Sequence, residues 1–238
     1  MTTLTNPAQT PWPEHAAAHN THERVLDMVR RLLPAPAGRK ALDVPCGAGA
    51  LSARLAASGL SVTSVDIEAV EPFRHDPQQR VLANANHGLP FPDQEYDLVV
   101  SVEGIEHLEN PSAFLRECAR VTRHDGLVII STPNVDSFRS RRWALLRGHP
   151  RFFGPQGEAN KDSGHLHGID MIFFRGAAAR AGLEIVDIAV NDLAKSWFSE
   201  LVRPWLTRRL PATMQGEIPF YGDVMIYGLR KKNTAAAG

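Results

Sequence analysis

The sequence predicts a doubly wound α/β domain with a seven-stranded, mostly parallel sheet and an antiparallel hairpin at one edge. Three observations predict it. From residue 41 onward short apolar runs alternate with helical patterns, as βαβ units require. The first of these runs ends in a small-residue turn, Gly47-Ala48-Gly49, that opens a helix, the way a parallel sheet brings a nucleotide-sized ligand to its edge. The 238 residues, 43% of them hydrophobic, suffice for one full core with attachments rather than for two independent domains.

In chain order, the Thr/Pro-rich residues 1–13 read as a disordered leader, 14–232 as a single domain and 233–238 as an uninformative tail. Val25, Leu26, Val29, Leu32 and Leu33 recur at helical spacing until Pro34-Ala35-Pro36 ends the pattern, which predicts a helix over 14–33. Strand 41–44, helix 48–58 and a strand over 60–65 ending in Asp66 follow. Then come a short strand at 81–83, a strand at 97–102, a helix at 111–122 and a strand at 127–131. Residues 134–168 have no clean period and carry Arg139, Arg141, Arg142, Arg147 and Arg151, so they read as a long acceptor-side insertion whose arginines suit either a solvated surface or a lid that meets an anionic group. A helix over 170–181 capped by Gly182, a strand at 183–190 and a last strand at 223–229 complete the pattern. The second insertion, 193–222, includes a stretch at 197–210 in which Trp197, Phe198, Leu201, Trp205 and Leu206 stand against Arg203, Arg208 and Arg209. That stretch suits packing on the sheet edge, or contact with a membrane surface or a lipid-linked acceptor.

Charge and cysteine usage narrow the partners. Lys+Arg 26 against Asp+Glu 26 gives a formal net charge of zero, so no global field draws in nucleic acid. Two cysteines, Cys46 and Cys118, are too few for a disulfide framework and fit a reducing compartment. The first residues carry no signal-peptide pattern and no apolar run approaches the ~20 residues of a spanning helix, so a cytoplasmic location is expected.

The chemistry begins at Ala41–Ser52, ALDVPCGAGALS. Gly47 and Gly49 let backbone amides approach a ligand, and Asp66 ends the next strand where a carboxylate receives two ribose hydroxyls. Alone, this pattern also fits a dinucleotide fingerprint. The remaining motifs resemble the class I S-adenosylmethionine-dependent methyltransferases: DVPCGAG their glycine-rich motif, VTSVDIE the acidic end of the second strand, ANANHGLPFPDQEYDLVVS the third and fourth strands, and RVTRHDGLVIISTPN the fifth. One departure is Pro45-Cys46 where many members have Gly-Cys. The resemblance implies S-adenosylmethionine as cofactor, with Asp43, Gly47 and Gly49 at its methionine end, Asp66 on the ribose and Asn84 near the adenine. Asn84 equally suits a turn in Asn84-Ala85-Asn86.

Beyond the fourth strand, Glu103, Glu106 and His107 have the three- and four-residue spacing that puts side chains on one face of a helical turn. Two carboxylates and an imidazole, joined by a further histidine, form a candidate site for Mg, Mn or Zn. The pattern is similar to that of the ubiquinone-biosynthesis O-methyltransferases and the small-RNA 2′-O-methyltransferases, and this similarity favours His167 over His165 as the further ligand. Without a metal, His107, backed by Glu106, is the candidate general base. The expected activity is methyl transfer to a small-molecule acceptor, most simply at a hydroxyl in natural-product, glycan or quinone biosynthesis. The rivals are an RNA 2′-O-methyltransferase, an NAD-dependent oxidoreductase and a catalytically inactive cofactor-binding partner.

Overall fold

The computed structural model describes residues 20–154, 164–191 and 221–232. Its strands are β1 (Lys40–Asp43), β2 (Ser61–Asp66), β3 (Arg80–Leu82), β4 (Tyr96–Val102), β5 (Thr122–Pro133), β6 (Leu183–Val190) and β7 (Val224–Lys231), and its helices are α1 (Thr21–Leu32), α2 (Ala50–Ala57), α3 (Pro111–Val121), α4 (Phe138–Arg147) and α5 (Met171–Arg180). The seven strands form one sheet in the order β3-β2-β1-β4-β5-β7-β6. β1 to β5 pair in parallel, and β7 inserts antiparallel between β5 and β6. Order reverses beside β1, so the carboxyl ends of β1 and β4 flank the crevice where such sheets hold ligands.

Alternation along the central strands feeds two cores. Leu98 and Val100 of β4 and Leu127 and Ile129 of β5 point toward α1 and α2, where Val25, Val29, Leu51 and Leu55 are buried. Val99, Val128 and Ile130 point the other way, onto Phe114, Leu115 and Cys118 of α3 and Phe174 of α5. Strands covered on both faces explain why these segments are continuous apolar runs in the sequence. Helix starts follow local chemistry: Asn110 accepts from the Ala113 amide with Pro111 at the first helical position, and Asp170 accepts from the Phe173 amide.

Three segments differ from expectation. The first helix starts at Thr21 rather than running through from 14, because Asn20 stands left-handed at φ +44° as its N-cap. The fifth strand begins at Thr122 rather than 127, because Tyr96 pairs with Thr122 and the ladder resumes at Leu98–Leu127 past an irregularity. Gly126 sits at that break, where an added Cβ would lie 2.5 Å from the Thr122 methyl. Within 134–168, read as an insertion without a period, the chain forms α4. Only Ser140 of α4 is buried, so no apolar stripe announces it. Its caps are nonetheless in the sequence: Ser137 accepts from the Ser140 amide, and Gly148 takes φ +81° at the far end. The amphipathic stretch at 197–210 and the leader at 1–13 lie outside the described residues. Among the described residues no helix is long and apolar enough to cross a membrane.

Candidate functional site

The turn after β1 is built by charge and hydroxyls together. Asp43 is buried; its Oδ2 accepts from Ser52 Oγ at 2.6 Å, and Ser64 Oγ donates to that same hydroxyl at 2.8 Å, while Oδ1 has no partner. Burial pushes the Asp43 carboxyl up to about 7, the Ser52 hydroxyl opposing the shift and the Asp66 charge adding to it. Asp66 accepts from the Gly47 amide at 2.7 Å, which ties the glycine turn to the end of β2. Gly47 has φ +51° and open space where a Cβ would be, so its backbone can be approached from outside. Gly49, at φ +74°, is the N-cap of α2, and no side chain caps that helix. Gly49 itself brings no side-chain acceptor to the first turn of α2, whose Ser52 backbone amide helps to stabilise the Asp43 carboxylate.

Sequence reasoning missed what covers this turn. A Cβ on Gly49 would lie 2.8 Å from the Phe73 ring, and the Arg74 amide donates to Ala48 O at 2.8 Å. Arg80 holds this strap by lying 4.5 Å over the Phe73 ring and pairing with Glu71 at 2.8 Å. Ile67, 61% exposed directly after Asp66, offers an apolar shelf beside the carboxylate. Its signal was visible: an exposed apolar residue at the ligand end of a parallel strand. Asn84 forms the turn its sequence allowed, accepting from the Asn86 amide at 3.0 Å, with its amide nitrogen left to donate.

The turn after β4 brings the second cluster together. The chain leaves the strand through Glu103, at φ +48°, and Gly104, and enters a 3₁₀ turn at Ile105–His107. Glu103 and Glu106 thus do not share one α-helical turn, as their spacing had suggested; the left-handed Glu103 redirects the chain first. Gly104 seats against Pro45: a Cβ there would lie 2.1 Å from Pro45 Cδ. The Val44–Pro45 peptide is cis. The proline that departs from the family pattern is thus met by a residue with no side chain, and the β1 and β4 turns touch.

Glu106 is fully buried, and neither carboxyl oxygen finds a hydrogen-bond partner of normal geometry. Burial, with the Glu103 charge adding, lifts its carboxyl up to about 8, its own backbone amide and the nearby Thr132 hydroxyl opposing. Among the described residues, Glu106, His107 and His165 each offer a ligand atom within 4.8 Å of the others. His165 Nε2 stands 4.0 Å from Glu106 Oε1, and the two imidazole rings are 4.7 Å apart, edge to face. His167, which the resemblance favoured, contributes its backbone: its amide and that of Leu166 donate to Glu106 O at 3.1 and 2.8 Å. Neither its ring nor Glu103 belongs to the converging group.

The donor set fits a divalent cation. His107 Nδ1 lies 3.2 Å from Gly164 O and His165 Nδ1 lies 3.0 Å from Phe152 O. A carbonyl only accepts, so both Nδ1 atoms carry a proton, and in the neutral rings Nε2 then keeps the lone pair, the arrangement found behind metal-bound histidines. The Glu106 carboxyl, for which no hydrogen-bond partner of normal geometry is found among the described residues, offers the oxygen donor of such a set.

A methyltransferase-domain family model matches residues 17–188. The chain is 38% identical over 116 residues to a protein of Mycobacterium tuberculosis described as a probable S-adenosylmethionine-dependent methyltransferase, covering 48% of this chain and 42% of that one. It is 35% identical over 118 residues to the ubiquinone biosynthesis O-methyltransferase of Proteus mirabilis, covering 46% of each. The chain thus spans about half the length of the curated relatives it matches. Among solved structures, a SAM-dependent methyltransferase from Archaeoglobus fulgidus superposes with a TM-score of 0.58 at 19% identity, over 89% of this chain and 95% of that one. The [4+2]-cyclase SpnF gives 0.56 at 18%, over 92% and 84%. These two likenesses establish the fold; that one of the two proteins is a cyclase shows why the reaction must be argued from the site.

Proposed function

Because this chain belongs to the methyltransferase-domain family, we propose that it moves a methyl group from S-adenosylmethionine to a hydroxyl of a small-molecule acceptor. The observation that carries this reading is the contact of two turns at one sheet edge. The β1 turn presents Gly47 and Asp66, and the β4 turn, meeting it through Pro45 and Gly104, presents Glu106 and His107. The acceptor oxygen attacks the electrophilic sulfonium methyl of S-adenosylmethionine in line, so that the C–O bond forms as the C–S bond breaks and S-adenosylhomocysteine leaves as the neutral thioether.

The protein's share is alignment and proton handling. Asp66 and the glycine turn hold the nucleoside end, with Asp43 bracing the turn from beneath and Asn84 beside the adenine. In the neutral ring the Gly164 carbonyl places the His107 proton on Nδ1, and Nε2 takes the hydroxyl proton as the new C–O bond forms. If a divalent metal binds, Glu106, His107 and His165 hold it, and it lowers the pKa of the acceptor hydroxyl. The three converging ligand atoms favour the metal; a Glu106 carboxyl lifted to about 8, and so neutral near pH 7, favours the base.

The zero net charge supports a small acceptor over RNA. Contact with lipid through 197–210 remains a separate proposal. Thermal unfolding of wild type and Glu106→Ala in Mg, Mn and Zn separates the two mechanisms: a rise in the wild-type melting temperature that Glu106→Ala abolishes supports the metal, and no rise in any of the three leaves the base.

A further inference from the structure

Phe152 is a bulky residue at φ +72°, where only glycine sits without strain. Its carbonyl is the group that His165 Nδ1 meets at 3.0 Å. The residues on either side clamp it. Arg151 donates to Asp223 at 2.6 Å, its amide donates to Ser140 Oγ at 3.1 Å, and its guanidinium lies 4.5 Å over the Phe152 ring. Phe153 packs its ring 5.2 Å from that of His165, and its amide donates to Pro150 O at 3.2 Å. Asp223 is itself anchored. Its side chain also pairs with Arg139 at 3.2 Å, its amide donates to Asn191 Oδ1 at 2.8 Å, and its carbonyl accepts from the Asn134 amide at 2.8 Å.

We propose that Arg151 and Asp223 are positioning residues: they hold Phe152 in its left-handed conformation so that its carbonyl fixes the tautomer of His165 beside Glu106. The inference rests on the reading of Glu106, His107 and His165 as the reacting centre, and it explains two features that reading leaves unused. The first is backbone strain on the residue whose carbonyl meets His165. The second is an ion pair nearly buried on its acidic side, far along the chain from the histidine it serves. An imidazole in a half-buried position can place its proton on either nitrogen, and only Nδ1–H leaves the Nε2 lone pair toward the Glu106 carboxyl. Losing the clamp lets Phe152 relax to a negative φ and swings its carbonyl away.

The test is a long-range proton–nitrogen NMR spectrum of the histidine side chains in the full chain without added cofactor, with the His165 signals assigned by their disappearance in His165→Gln. Wild type is expected to show a proton on His165 Nδ1 and a bare Nε2. Asp223→Asn and Phe152→Val, the latter β-branched and ill suited to a left-handed backbone, are each expected to lose that pattern for a mixture of tautomers. Phe152→Gly, which takes the same φ freely, retains it, and His107 keeps its own pattern in all three as an internal control. Should wild-type His165 carry its proton on Nε2, or both Asp223→Asn and Phe152→Val leave its Nδ1–H pattern intact, the proposal is overturned. Because no methyl transfer is measured, a failed activity assay bears on the proposed function and leaves this result standing.

Discussion

Asp43 carries a proton into neutral pH for a reason visible around it: its carboxyl is buried, with one hydroxyl partner and a second carboxylate nearby. In the unfolded chain it ionises near the ordinary aspartate value of 3.8, in the folded chain near 7. Between those values the folded state binds the extra proton, so Asp43's contribution is fully present below the lower value and is lost as pH rises toward the upper one. Asp43→Asn keeps an oxygen for Ser52 and removes the titration. Its unfolding free energy, measured by chemical denaturation, is expected to gain on wild type steadily from about pH 4 to pH 7, by up to a few kcal/mol at about 1.4 kcal/mol per pH unit; parallel stability–pH curves would refute this. Glu106→Gln and His107→Gln are each expected to slow methyl transfer about 10²–10⁴-fold, as loss of an acid–base or ligating group does. His167→Gln should leave the rate near wild type, since His167 acts through its backbone amide. At this scale the sequence identified residue types and missed their partners. Glu106 and His107 were legible from their place after the fourth strand, but the choice of His165 depends on how Phe152 and Gly164 present their carbonyls, 13 and 57 residues away in sequence from the histidines they meet.

Elements were legible where periodicity coincided with burial. The strands that cross the middle of the sheet are covered on both faces, and their apolar runs marked them to within a few residues. α4 was not legible because it buries a single small residue, and caps alone make a quiet signal. The Glu103–His107 segment was misread as one helical turn because spacing says nothing about a left-handed residue at its start. Turn packing yields a prediction at this scale. Gly104→Ala must displace Pro45, whose Cδ stands 2.1 Å from the new methyl, and is expected to cost about 1–3 kcal/mol of stability while weakening cofactor binding, because the two turns share that contact. Gly49→Ala adds backbone strain at φ +74° to a clash with Phe73. Chemical denaturation with calorimetric titration of S-adenosylhomocysteine measures both losses; a Gly104→Ala protein as stable as wild type and binding as tightly would show that the Pro45–Gly104 contact sets neither.

The whole molecule organises a ligand edge around the reversal of strand order. Parallel β1 and β4 deliver Asp43 and the Glu106 turn to the same end of the sheet, and the antiparallel β7 brings Asp223 under α4 and the segment that meets His165. The seven-stranded, mostly parallel sheet and its antiparallel edge followed from alternating patterns in the sequence; the order of its strands did not. Nor did the pairing of Glu106 with His165, because it is assembled from irregular backbone and ion pairs that no period encodes. A ligand that binds only the folded chain raises its stability, by about 2.7 kcal/mol at a hundred times its dissociation constant. The most direct measurement is therefore calorimetric titration of the wild-type chain with S-adenosylhomocysteine and, separately, with NAD, repeated on Asp66→Ala. Saturable binding of S-adenosylhomocysteine that Asp66→Ala weakens, with no heat from NAD, is the predicted result; binding of NAD alone would contradict it.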